Sequence, residues 1–78
     1  MKEHELVVRM ERGAPRSFRW RHRYIAVMTI LDYWREAGEW WKSSPELWIW
    51  RVQGDNQGIY ELAWNQTDNQ WWMARVYD

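Results

Sequence analysis

Two histidines, His4 and His22, three acids close in sequence, Asp32, Glu36 and Glu39, and the pair Ser43 and Ser44 are the residues whose types could do chemistry. Neither histidine has a second ligand three or four residues on, the spacing that would set two ligands on one helical face, so no metal centre is expected. Cysteine is absent, which removes thiolate ligands, disulfides and a thiol nucleophile together. The three acids stand among Arg35 and Lys42 and read as solvated or ion-paired, not as coupled carboxylates for acid–base work. Ser43 and Ser44 precede Pro45 with no base nearby and read as turn residues. Gly54 and Gly58 bracket a hairpin tip and form no phosphate loop. No nucleophile, base and oxyanion donor assemble from this set, so the expectation is a protein without catalysis, metal or cofactor.

Binding chemistry is better represented. Residues 16–24 read Arg-Ser-Phe-Arg-Trp-Arg-His-Arg-Tyr, four arginines interleaved with aromatic rings. Guanidinium groups suit phosphates and flat rings suit bases, a combination that small β-domains use on single strands. Arg16, Arg19, Arg21, His22 and Arg23 are therefore the candidate nucleic-acid contacts. Alternation limits the idea: if Phe18 and Trp20 face a core, Arg19 and Arg21 reach phosphates while those rings cannot stack. Arginines also blunt sheet edges, and on this segment alone that reading weighs more.

The elements that must position these residues are read most clearly at the other end of the chain. Residues 47–52, 59–64 and 71–77 are rich in β-branched and aromatic residues, and the segments between them are rich in Gly, Asn, Asp and Gln. They read as two consecutive hairpins. Trp48, Trp50, Val52, Tyr60, Leu62, Trp64, Trp72, Ala74 and Val76 then line one uncharged side, the core. If Val52 faces Tyr60 and Trp64 faces Trp72, then Arg51, Glu61 and Arg75 form one cross-strand row on the opposite side. That opposite side also carries Ile49, Ile59, Trp71, Met73 and Tyr77. With Trp40 and Trp41 in a loop, Trp71, Met73 and Tyr77 make the candidate partner-binding surface, for another protein or a second copy of the chain.

Earlier in the chain, Leu6, Val8 and Met10 alternate with outward residues as a strand, ended by Gly13, Ala14 and Pro15. Phe18 and Trp20 mark a second strand, and a tight turn near Arg21, His22 and Arg23 leads to a third. His22 is an unusual residue there, because a two-residue hairpin loop favours Gly or Asn where φ is positive. Residues 25–37 fit two patterns. Val27, Ile30, Leu31 and Trp34 recur at helical spacing, while Ile25, Val27, Thr29 and Leu31 alternate. The tight turn favours a long, bent strand, since Tyr24 onward is already paired. The expected fold is all-β, a small antiparallel curled sheet or open barrel of about five or six strands. An α+β fold with a helix at 26–37 is the alternative.

Seventy-eight residues make one small domain whose packing rests on nine Trp, four Tyr and one Phe. A domain of this size hardly buries nine indoles, so some are expected at the surface or in an interface. Net charge is zero, yet residues 1–31 hold seven bases against three acids and residues 32–78 four bases against eight acids. The first part is the anion-binding candidate. No apolar run approaches the ~20 residues of a membrane helix, and Met1, Lys2, Glu3, His4 and Glu5 lack the apolar segment of a signal peptide. A cytoplasmic protein without a membrane partner is expected.

The motifs Pro15-Arg16-Ser17-Phe18-Arg19-Trp20-Arg21, Arg23-Tyr24, Ile30-Leu31-Asp32-Tyr33-Trp34-Arg35-Glu36-Ala37-Gly38, Trp40-Trp41, Trp50-Arg51-Val52, Gly58-Ile59-Tyr60-Glu61-Leu62 and residues 72–78 resemble a small uncharacterised bacterial family. The similarity spans residues 15–78, and the family more often has Gly where this chain has His22. Its members occur alone and as C-terminal modules on proteins similar to Y-family translesion polymerases. The resemblance implies a DNA-repair neighbourhood without a reaction. A non-catalytic module that docks on single-stranded DNA or on a translesion polymerase-like protein, or that pairs as a homodimer, is the expectation.

Overall fold

The computed structural model describes residues 6–36 and 47–77. They form strands β1 (Val7–Glu11), β2 (Ala14–Trp20), β3 (Arg23–Glu36), β4 (Leu47–Gly54), β5 (Ile59–Asn65) and β6 (Gln70–Tyr77). Each strand pairs antiparallel with its neighbours in sequence, in the order β1-β2-β3-β4-β5-β6, and the sheet curls into a half-barrel. The fold is all-β. Among the described residues no helix is long and apolar enough to cross a membrane.

Curling follows from strand twist and from extra residues that one strand inserts against its partner. In β2 the register shifts at Arg16, beside Pro15, which lacks an N–H and is tolerated in a sheet at such irregularities. In β3 it shifts at Met28 and again at Leu31. β3 joins both halves of the sheet: its first residues, through Ala26, pair with β2, and from Val27 onward it pairs with β4. The two irregularities bend the side of β3 that β2 has left, a shape that discourages strand addition there. At the seam of the half-barrel, Leu6 N–H donates to Trp71 C=O at 3.4 Å.

The core fills the concave side, where Phe18, Ile25, Trp50, Val52, Tyr60, Leu62, Trp71 and Leu6 are buried. Edge-to-face packing of Phe18 on Tyr60, with ring centroids 5.2 Å apart, ties β2 to β5 across the interior. Gly54 lets β3 come close, since a Cβ there would stand 2.5 Å from Ile25 Cγ2.

One register expectation is corrected. Val52 faces Tyr60 and Arg51 faces Glu61, which in turn faces Arg75, as the patterning indicates. Past Glu61 the β5–β6 register shifts, so Leu62 faces Met73, and Trp64 faces Trp71 instead of Trp72. Ala74 is the inserted residue. Alternation in β6 therefore inverts toward its start: Trp71 and Met73 join the core, and Trp72 stands half-buried opposite Ala63.

The turn between β2 and β3 has two residues, Arg21 and His22, with φ of 51° and 66°. Both lie in the left-handed region that costs a side chain about 1–2 kcal/mol. Replacing His22 with Gly is expected to raise stability by roughly 0.5–1 kcal/mol after the entropy glycine adds to the unfolded chain. A urea titration followed by tryptophan fluorescence measures this, and an unmoved or lowered midpoint would contradict it.

Candidate functional site

Arg19 and Tyr24 of the arginine-rich segment lie on the outward side of the sheet, Arg21 and His22 form the turn, and Arg23 stands opposite Trp20 on the other side. With a two-residue turn after Trp20, Tyr24 must stand opposite Arg19, and Val7 completes the row from β1. Arg9, Ser17 and Ala26 form the next row. Adjacent strands are about 4.8 Å apart, so these side chains share one continuous patch. Tyr24 is 67% exposed, and its hydroxyl is 3.0 Å from Ser17 Oγ, which fixes the ring over the sheet.

Arg16, Arg19, Arg21, His22 and Arg23 are all exposed. Glu11 is the one acid between residues 6 and 31, and its carboxylate is 3.9 Å from Arg16. Arg9, Arg12, Arg19, Arg21 and Arg23 make no ion pair among the described residues. The Arg21 guanidinium lies 4.6 Å from the Trp20 ring centre, a cation–π contact that leaves its charge uncompensated. Phe18 is buried and Trp20 half-buried, as alternation requires, so neither ring offers an open face to a ligand. Tyr24 closes the segment singled out from the sequence, though not as a contact, and the turn length fixes it beside Arg19; Arg9 lies outside that segment and is placed by the pairing of β1 with β2.

The surface assigned to a partner divides differently. Trp71 is 5% exposed, in the core and stacked on Trp64, and Met73 packs there too, because of the Ala74 insertion. Trp40 and Trp41 lie outside the described residues. Tyr77 faces outward but is engaged: its hydroxyl donates to Glu61 Oε2 at 2.6 Å. Arg51 donates to the same oxygen from Nε at 3.0 Å and approaches it with Nη2 at 2.9 Å, and Arg75 Nη1 donates to Tyr77 at 3.4 Å. Burial works to raise the Glu61 pKa, but the hydrogen bonds from Tyr77 and Arg51 outweigh it and hold the carboxyl below its ordinary value. Trp34 covers Arg51 at 5.1 Å. This network holds β4, β5 and β6 in register.

Where the arginine patch ends, a cleft of about 450 Å³ opens between Arg23, the loop after β4 and the end of β6. Asn56 and Gly58 form its rim, and Ile59 and Tyr77 its wall.

No curated protein and no solved structure matches the chain. One family model matches residues 1–78, that of a domain of unknown function, DUF6504.

Proposed function

Because the chain belongs to the DUF6504 family, whose description assigns no activity, we propose from the geometry that it is a non-catalytic module that binds single-stranded nucleic acid. The observation that carries this reading is a set of arginines without carboxylate partners among the described residues, of which Arg19 and Arg9 share the outward patch with the exposed ring of Tyr24. Arginines that served only to blunt an edge would gain by pairing with acids, and among the described residues of β1, β2 and their turns Glu11 alone is acidic. Uncompensated guanidinium groups attract a polyanion, and Tyr24 offers a stacking face that only an unstacked base can use. The resemblance to modules on translesion polymerase-like proteins supports a DNA strand as the ligand.

Fluorescence anisotropy with a labelled oligothymidine of about twelve nucleotides, within the site sizes of small β-domains, tests this across a salt series. Four contacts predict a log–log slope of roughly −3, and replacing Arg9 and Arg19 with Gln lowers its magnitude by about 1.4. Tyr24→Ala is expected to weaken binding by about 1–3 kcal/mol with the slope unchanged. No binding at low salt would overturn the proposal.

A second reading has its own observation: Met28, Ile30, Leu31 and Tyr33 are exposed along the half of β3 that β2 leaves uncovered. An apolar stretch of this kind suits a protein partner or a second copy of the chain. Sedimentation of the isolated protein as a dimer, without affinity for oligonucleotides, would favour it.

A further inference from the structure

The cleft beside Arg23 combines features that a binding surface alone does not need. Gln57 sits at its rim with φ of 70°, held by its own N–H bond to Gly54 C=O at 2.9 Å. A hairpin loop of this form ordinarily places Gly at the left-handed position, so a glutamine side chain is kept there at a backbone cost. That side chain makes no hydrogen bond among the described residues. Its neighbour Asn56 is committed to the fold: Nδ2 donates to the Tyr60 hydroxyl at 2.8 Å, and Oδ1 accepts from Gly58 N–H at 3.0 Å. Gly58 keeps the mouth open, since a Cβ there would come 2.7 Å from the Tyr60 hydroxyl. A firm rim thus presents one amide, both donor and acceptor, toward a space bounded by Ile59, Tyr77 and Arg23, whose guanidinium has no acid partner among the described residues.

We propose that this cleft takes one nucleotide of a bound strand, with Arg23 on the phosphate and the Gln57 amide on the edge of the base. Its volume, about 450 Å³, falls within the range of small-ligand sites. A primary amide matches adenine best, accepting from its exocyclic amine and donating to the adjacent ring nitrogen. The chain therefore prefers adenine at this position. The inference rests on the proposed strand-binding function for the path that leads into the cleft, which continues from Arg19 through the turn to Arg23.

The test is titration of the whole protein with each of the four nucleoside 5′-monophosphates, read by backbone amide NMR shifts. The expected result is movement at Gln57, Gly58 and Ile59, with the adenine nucleotide binding several-fold more tightly than the others. Gln57→Gly removes the amide while relieving the backbone, so it leaves the fold intact and is expected to abolish that preference. Unmoved resonances at these residues, or equal affinity for all four nucleotides, would overturn the proposal. Oligothymidine that still binds with an arginine-dependent salt slope would then leave the strand-binding surface standing without the cleft. Adenine-selective shifts at the cleft without any oligonucleotide affinity would support the nucleotide site and remove the strand that leads to it.

Discussion

Replacing Phe18 with Ala is expected to cost about 3–5 kcal/mol, a large share of the stability that a small domain has. Phe18 is 1% exposed, and its ring meets Tyr60 edge-to-face across the interior. Apart from the seam bond from Leu6 N–H to Trp71 C=O, the hairpin of β1 and β2 has no backbone partner on its outer side among the described residues, so its attachment to the rest of the sheet relies mainly on pairing with the start of β3 and on this inward packing. Truncation leaves a cavity where the sheet is already curled and cannot close further without breaking pairing. For a chain of this length the melting temperature should fall by roughly 15–25 °C. A fall of only a few degrees by circular dichroism would mean that β2 does not depend on the core contact.

The second large effect concerns Glu61. This residue is 8% exposed, and one of its carboxylate oxygens is reached by both Tyr77 and Arg51. Glu61→Leu removes the acceptor for both and is expected to cost about 2–4 kcal/mol, softened because Arg51 can turn toward water. The same network makes stability depend on acid. A carboxyl held below its ordinary value of 4.5 contributes fully above that pH, and the contribution is lost as pH falls through the lower value of the folded state. Wild-type stability should therefore drop on acidification below about pH 4.5, more steeply than that of Glu61→Leu. Parallel loss in both proteins, measured by urea titration at each pH, would show that another group governs the acid limb.

The register of β4 with β5, and the row from Arg51 through Glu61 to Arg75, are legible in the sequence because strict alternation flanks a short loop. The start of β6 is not. Trp71 and Trp72 are equally apolar, and which one faces inward depends on a single inserted residue, Ala74, that accompanies curling of the sheet. The ambiguity of residues 25–37 has a related cause. Insertions at Met28 and Leu31 set Val27, Ile30 and Tyr33 opposite Gly54, Val52 and Trp50, so one side of the strand is read at intervals of three and an irregular strand imitates the period of a helix. Of the candidate site, the arginines are legible as charge, and their exposure follows from alternation around Phe18. The neighbours that make a patch of them, Arg9 and Tyr24, depend on pairing across strands. The cleft at Gln57 depends on a backbone angle, which composition does not reveal.

The order of the strands also governs how the chain finds its structure. Every paired strand adjoins its partner in sequence, so each pairing closes a short loop at small entropic cost. The backbone bond from Leu6 to Trp71, by contrast, joins the two ends of the sheet. Assembly can then proceed as a succession of local steps, with the seam formed last, and the rate is governed by short searches and not by one long-range encounter.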